Sequence, residues 1–180
     1  ATVTGALWTP QGRSFDGIDD LIELGVGALN GPTRYTIEAW IKTATNSSYI
    51  FTMGGRVSLF VGDPSGLGCT ANKAGATQYD GAAFQITAGT TTITDNVFHH
   101  IVSTYNGTNM MLYVDGLLED TQASTDPVYA LDRKERIGAN YDPPAYYYTG
   151  LVGEVRIYNR ALNPMEVQRN YLATKWRYIP

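Results

Sequence analysis

The sequence predicts an all-β protein, an antiparallel β-sandwich of two sheets with one short C-terminal helix. Short β-branched or aromatic runs, bounded by Gly, Asp, Asn or Pro, recur from one end of the chain to the other, which is typical of an antiparallel sandwich. Helical periodicity is almost absent. The chain has 180 residues, of which 43% are hydrophobic. We therefore expect residues 1–180 to form a single domain with one sizeable core.

Alternation of apolar and polar residues predicts the strands. In the segment Tyr35–Lys42, one face carries Tyr35, Ile37, Ala39 and Ile41, so one side of this strand is expected to be core. Similar patterns predict strands at Val57–Val61, Ala82–Ile86, His99–Tyr105, Met110–Asp115 and Leu151–Tyr158. The stretch from Gly62 to Gly81 is rich in Gly, Ala, Thr and Asn and predicts a long loop or an irregular insertion.

Three dipeptides supply the positive backbone dihedrals that tight hairpins require. They are Asp16-Gly17, Asn106-Gly107 and Asp115-Gly116. We expect each of them to close a hairpin, and none of them indicates chemistry.

A short helix is predicted after the last strand. Asn163 can cap it, Pro164 suits its first position, and Glu166 stands where a capping-box acid belongs. Val167 and Tyr171 lie four residues apart and would pin this helix to the sandwich.

Composition excludes several classes of protein. The net charge is −4 and the 13 Lys and Arg residues are scattered singly, so we expect no nucleic-acid partner. No apolar run approaches the roughly 18 residues that cross a bilayer, so we expect no membrane insertion. The single cysteine, Cys69, excludes an internal disulfide. Charged residues are only 17% of the chain and tyrosines number 13, which favours an extracellular or virion-surface location.

Several blocks resemble the laminin-G-like, concanavalin A-like jelly-roll superfamily. They are Ser14–Asp20, Tyr35–Lys42, Phe98–Gly107, Leu112–Gly116, Arg136–Ala139 and Gly150–Leu162. The resemblance extends from Ser14 to about Tyr171, and it implies a concanavalin A-like jelly roll with neighbouring terminal strands. The tail from Asn170 to Tyr178 is similar to the ends of laminin-G-like domains in phage and marine viral structural proteins.

A candidate calcium site lies in the first of these blocks. Asp16, Asp19 and Asp20 place three carboxylates within five residues, and Ca²⁺ prefers six to eight oxygen ligands. Glu154 could approach them if the terminal strands pair. The resemblance implies a structural Ca²⁺ near this position, with an acid where this chain has Gly153. The alternative is that these acids only supply turn hydrogen bonds and solubility.

A cluster of tyrosines is the most distinctive local feature. Tyr141, Tyr146, Tyr147 and Tyr148 crowd one segment beside two prolines, which stiffen it. Sugars present apolar C–H faces that stack on aromatic rings, and phenol hydroxyls can bond to sugar hydroxyls. We therefore predict a glycan or partner contact here. A resemblance to the pentraxin calcium loop adds Asn140 and Asp142 as oxygen donors. The alternative is that some of these rings, Tyr148 above all, begin the last strand and close the sandwich edge.

Catalytic patterns are missing from the sequence. Relatives with glucanase activity group carboxylates on one strand as Glu-x-Asp-x-x-Glu, so that acid and nucleophile lie about 5 to 5.5 Å apart. Here Glu38 lies alone, Glu119-Asp120 follows a hairpin, and Glu154 has no acid two residues away. His99 and His100 are adjacent on a strand and point to opposite faces, so they cannot hold one metal together. We expect one of them to be exposed and one packed, and we expect no enzyme.

Two functions remain open at this point. The first is a noncatalytic carbohydrate-binding or adhesion module, such as a terminal domain of a phage or viral structural protein that contacts a glycan or host-surface receptor. The second is a structural or capsid-decorating domain that binds other virion or capsid subunits. A glycoside hydrolase is the third and least favoured reading.

Overall fold

The computed structural model describes residues 1–26, 33–46, 48–124, 134–140 and 143–179. Its strands are β1 Thr2–Thr4, β2 Leu7–Thr9, β3 Gly12–Asp16, β4 Leu21–Val26, β5 Tyr35–Lys42, β6 Ser48–Met53, β7 Val57–Val61, β8 Lys73–Tyr79, β9 Phe84–Thr92, β10 Phe98–Tyr105, β11 Asn109–Val114, β12 Leu117–Ala123, β13 Lys134–Ile137 and β14 Thr149–Tyr158. They are followed by helix α1 Pro164–Thr174 and a 3₁₀ turn, Lys175–Arg177.

Two antiparallel seven-stranded sheets form a sandwich, as the sequence predicts. The first sheet has the order β1-β4-β13-β6-β7-β8-β9, and the second has the order β12-β11-β10-β5-β14-β3-β2. The main core lies between them, where large apolar side chains from both sheets are fully buried, among them Ile37, Ile41, Phe51, Leu59, Ile101 and Leu112. Within the described ranges no helix is long and apolar enough to cross a bilayer.

Strand β5 has the predicted bounds but is buried on both faces. The core face is buried as expected. The opposite face is buried as well, because Thr36, Glu38 and Trp40 lie under α1 and the C-terminal residues. Trp40 contacts this layer directly, since its Nε1 donates a hydrogen bond of 2.9 Å to Thr174 Oγ1. Alternation alone could not reveal this second layer.

The predicted loop between Gly62 and Gly81 is wrong in part, because it contains β8. This strand pairs with β7 and β9 inside the first sheet. Its composition of Gly, Ala and Thr gives little β-propensity, but small residues are required here. A side chain at Gly75 would overlap the ring of Phe60, and Ala74 and Ala76 are buried in the core. Packing therefore overrides propensity in this strand.

Two of the three predicted turns close hairpins. Gly107 has a φ of 97° between β10 and β11, and Asp115 and Gly116 have φ values of 52° and 80° between β11 and β12. The prediction for Asp16-Gly17 is wrong, since β3 belongs to the second sheet and β4 to the first. This turn carries the chain from one sheet to the other.

The C-terminal helix is confirmed with its capping box. The side chain of Asn163 accepts a hydrogen bond from Glu166 N–H, and the side chain of Glu166 accepts one from Asn163 N–H. Val167 is fully buried. The ring of Tyr171 stacks on Trp40 at a centroid distance of 5.7 Å, so both predicted residues fasten the helix to the sheet.

Candidate ligand-binding site

Two of the predicted sites lie at the same end of the sandwich. Residues 16–20 form the acidic turn, and Asn140 to Tyr148 form the tyrosine loop. Asp16 pairs with Thr149, the residue after the tyrosine loop. A Cβ atom at Gly138, just before the loop, would lie 3.2 Å from the carbonyl oxygen of Asp20. The acidic turn therefore contacts the chain on both sides of the tyrosine loop.

The acidic turn gathers three carboxylates. Ligand oxygens of Asp16, Asp19 and Asp20 lie within 4.8 Å of one another. Asp20 is buried and accepts the N–H of Asp16 at 2.8 Å, while Asp16 accepts the N–H of Ile18 at 2.8 Å. Two of the acids thus do supply turn hydrogen bonds. A carboxylate has two oxygens, however, so this all-oxygen set is also of the kind that suits Ca²⁺.

Glu154 does not join the acidic turn, which corrects the prediction that it could. It lies five residues beyond Thr149 along β14, about 16 Å at the usual rise of a strand. Its carboxylate accepts hydrogen bonds of 2.9 and 2.8 Å from Arg156, and Arg177 lies 3.5 Å away. The terminal strands do pair, but this pairing runs only from Thr149 to Val152, so Glu154 lies in the middle of β14 beyond the paired residues.

The tyrosine loop is held at its base and presents one ring to solvent. Asn140 and Ala145 exchange backbone hydrogen bonds of 2.9 and 2.8 Å. Tyr146 has a φ of 52°, its carbonyl accepts the N–H of Tyr49 at 3.2 Å, and its side chain is 44% exposed. Tyr147 is partly exposed. The predicted ligand residues Tyr141 and Asp142 lie outside the described residues.

Tyr148 and Asn140 are buried, so they do not face a ligand as predicted. The hydroxyl of Tyr148 donates to the carbonyls of Lys42 and Leu151 at 3.2 and 3.4 Å, and burial raises its pKa. Its ring meets that of Phe15 edge-on at 6.0 Å. The alternative interpretation, closure of the sandwich edge, therefore describes Tyr148. The side-chain oxygen of Asn140 points toward Gly55 and has no hydrogen-bond partner among the described residues.

The two histidines face opposite sides, as predicted, but both are buried. His99 lies 2.8 Å from Asp115 and 3.2 Å from Asp95. Burial disfavours its charged form, yet these carboxylates outweigh that effect and raise its pKa. His100 packs on Trp40 at 5.0 Å, and burial lowers its pKa to about 4. The expectation that one histidine would be exposed is wrong, because α1 covers the outer face.

The isolated carboxylates have structural partners. Glu119 and Asp120 lie on the edge strand β12 and accept backbone N–H groups from β9, the edge of the other sheet. The distances are 2.7 Å from Thr90 to Glu119 and 2.8 Å from Ala88 to Asp120. Glu38 is buried and accepts hydrogen bonds from Arg156 at 3.0 Å and Asn170 at 3.0 Å. Glu119 and Asp120 therefore join the edges of the two sheets, and Glu38 helps to hold α1 to the second sheet.

Family comparison agrees with this architecture. The family profile for the concanavalin A-like lectin/glucanases superfamily matches residues 16–168. The chain belongs to this superfamily. No curated protein sequence matches the chain significantly.

Solved structures share the concanavalin A-like fold at low sequence identity. A candidate carbohydrate-binding protein from Bacteroides ovatus ATCC 8483 has a TM-score of 0.72 and 18% identity, over 88% of this chain and 46% of that one. Domain 4 of AbnA, a GH43 extracellular arabinanase from Geobacillus stearothermophilus, was solved in complex with arabinotriose. It has a TM-score of 0.68 and 17% identity, over 94% of this chain and 81% of that one. The heptameric SAP-like pentraxin from Limulus polyphemus has a TM-score of 0.66 and 16% identity, over 90% of this chain and 82% of that one. The chain thus spans about half the length of the Bacteroides protein.

One exposed surface of this concanavalin A-like domain has no local signal in the sequence. Trp8 on β2 and Trp176 in the 3₁₀ turn line a groove together with Glu154 and Arg177. The two tryptophans are 168 positions apart, so no local pattern connects them. Only the pairing of β3 with β14 and the position of α1 bring them together.

Proposed function

We propose that this chain is a noncatalytic module that binds a glycan through the tyrosine loop, in an extracellular setting such as the surface of a virion. The observation that carries the proposal is the exposed ring of Tyr146 on a loop whose base is fixed by backbone hydrogen bonds. A side chain whose backbone is already held by hydrogen bonds loses less entropy when a ligand binds. An exposed phenol offers both a face for sugar C–H groups and a hydroxyl for sugar hydroxyls.

The fold and its relatives support a saccharide as the ligand. A similar domain of the arabinanase AbnA was solved with arabinotriose, and another similar structure is described as a candidate carbohydrate-binding protein. The carboxylates of Glu38, Glu119, Asp120 and Glu154 already serve as hydrogen-bond acceptors for arginine, asparagine or backbone groups. Those bonds favour binding over hydrolysis as the role of this domain.

Replacing Tyr146 and Tyr147 together by alanine is expected to weaken glycan binding at least about tenfold, because two ring contacts worth roughly 1 kcal/mol each are lost. The affinity would be measured by calorimetry, after a glycan array that includes arabino-oligosaccharides has selected the ligand. The melting temperature should change little, since Tyr146 is half-exposed.

Phe84→Ala provides the matched control, because Phe84 is 41% exposed on the edge strand β9. This variant should bind the glycan like the wild type. Unchanged affinity in the double tyrosine variant would show that the tyrosine loop is not the binding site.

We also propose that the acidic turn binds Ca²⁺ and thereby fixes the base of the tyrosine loop. Calcium at a hundred times its Kd is then expected to raise Tm by roughly 5 to 10 °C relative to the same protein in chelator. Asp19 is exposed, so Asp19→Asn should leave the Tm in chelator unchanged and reduce the gain from calcium. Equal Tm values for the wild type in calcium and in chelator would contradict a calcium site.

A further inference from the structure

A groove of about 520 Å³ lies between the β2–β3 hairpin and the C-terminal turn. We call it the tryptophan groove, and its lining includes Trp8, Gln11, Glu154, Trp176, Arg177 and Tyr178. Its volume is in the range of sites that hold small ligands. Glu154 is about 16 Å along β14 from Thr149, the residue after the tyrosine loop, so the two surfaces are separate.

Both tryptophans of the groove are unusually exposed. Trp8 is 75% exposed and Trp176 is 70% exposed, whereas the third tryptophan, Trp40, is almost fully buried. Large aromatic side chains bury much apolar surface when they pack. Two exposed rings at one groove therefore indicate a surface that binds a ligand.

Each exposed ring has an arginine within cation–π distance. The guanidinium of Arg13 lies 4.4 Å from the centre of the Trp8 ring, and that of Arg177 lies 5.4 Å from the Trp176 ring. Arg13 is itself fixed by a 3.0 Å hydrogen bond to the carbonyl of Ala6, and Trp176 Nε1 donates to the carbonyl of Ala173 at 3.0 Å. Each indole thus has an arginine beside it, while most of its surface remains in solvent.

Hydrogen-bonding groups also line the tryptophan groove. The carboxylate of Glu154 is oriented by Arg156 and approached by Arg177 at 3.5 Å. The hydroxyl of Tyr178 accepts the N–H of Glu154 at 2.9 Å. A carboxylate and a guanidinium side by side provide both acceptors and donors for hydroxyl groups.

The floor of the groove depends on a glycine. A side chain at Gly153 would come within 2.6 Å of the Tyr178 ring. The absence of a side chain at Gly153 therefore leaves room for the Tyr178 ring beside β14. The tryptophan groove is therefore built by close packing of the two ends of the chain.

We infer that the tryptophan groove binds a pyranose-based oligosaccharide, with sugar rings stacked on Trp8 and Trp176 and hydroxyls bonded to Glu154 and Arg177. A pyranose offers an apolar C–H face and a rim of hydroxyls, which matches a groove lined by both aromatic rings and charged groups. A purely apolar partner would leave these charged groups desolvated without new hydrogen bonds, which is costly. This site does not depend on the tyrosine loop.

Intrinsic fluorescence tests the inference, because the exposed tryptophans report directly on the groove. The probes are cellohexaose, xylohexaose and trigalacturonate, which separate neutral from acidic pyranoses. We expect at least one probe to give a saturable blue shift and protection from acrylamide quenching. Trp8→Ala and Trp176→Ala should each weaken this binding at least tenfold, with unchanged melting curves.

Leu172→Ala is the matched control, since Leu172 is an exposed apolar residue of α1 outside the groove. It should retain full binding, and so should the double variant of Tyr146 and Tyr147. The inference is overturned if no probe gives a saturable response, or if binding survives in both tryptophan variants. It is also overturned if concentration-dependent self-association alone protects the tryptophans, which would assign the groove to a second copy of the chain. Binding lost only in the tyrosine variant would leave the proposed function standing without this second site.

Discussion

Replacing Trp40 by alanine is expected to lower the free energy of unfolding by about 3 to 5 kcal/mol, the usual cost of removing a buried Trp side chain. The ring of Trp40 lies between the outer face of the second sheet and the C-terminal residues. It contacts the rings of Tyr178 at 4.7 Å, His100 at 5.0 Å and Tyr171 at 5.7 Å. Its Nε1 donates to Thr174 Oγ1. Chemical denaturation of the wild type and the variant measures the loss.

Trp40→Phe is the control for this prediction. It keeps an aromatic ring and removes the hydrogen bond, so it should cost less than half as much as alanine. Limited proteolysis should also cleave the segment from Pro164 to Ile179 faster in the alanine variant, because that segment loses its main anchor. A loss below 1 kcal/mol would contradict the role of Trp40 as that anchor.

Replacing Arg156 by alanine is expected to cost about 2 to 4 kcal/mol, because the buried Glu38 carboxylate beneath α1 would lose its arginine partner. Arg156 lies 3.0 Å from the Glu38 carboxylate. Tyr158 and Asn170 would continue to donate to it, at 3.3 and 3.0 Å, so the loss should fall in the lower part of the range for a broken buried pair. Urea denaturation at neutral pH is the appropriate measurement.

A double-mutant cycle separates the buried charge from simple loss of packing. Glu38→Gln removes the charge, so the double variant with Arg156→Ala should be more stable than the sum of the two single losses predicts. Additive losses would mean that Glu38 and Arg156 are not coupled, and the account of the layer beneath α1 would be wrong.

Periodicity and turn chemistry predicted much of the fold because these signals are local. β5 and β7 have the predicted bounds, and the capping residues Asn163 and Glu166 begin α1 as expected. The wrong predictions concern features that depend on contacts between residues distant in sequence. β8 is a strand because it pairs with β7 and β9, and Phe60 leaves room only for glycine at position 75. The Asp16-Gly17 turn changes sheets because β4 pairs with β1 and β13.

The candidate sites were predictable only where their residues adjoin in sequence. Asp16, Asp19 and Asp20 cluster as predicted because one turn carries all three. The prediction that Glu154 approaches the acidic turn is wrong because its position depends on the register between β3 and β14, which no local pattern encodes. The burial of Tyr148 depends on contact with Phe15, which is equally remote in sequence. Trp8 and Trp176 were overlooked for the same reason.

Calorimetric titration of the wild-type chain with oligosaccharides, followed by analysis of the recovered sugars, tests the central claim most directly. We expect saturable binding of at least one oligosaccharide, recovered intact after prolonged incubation. Release of shorter sugars would make the chain a hydrolase. Binding of no saccharide at all would contradict its role as a glycan-binding module.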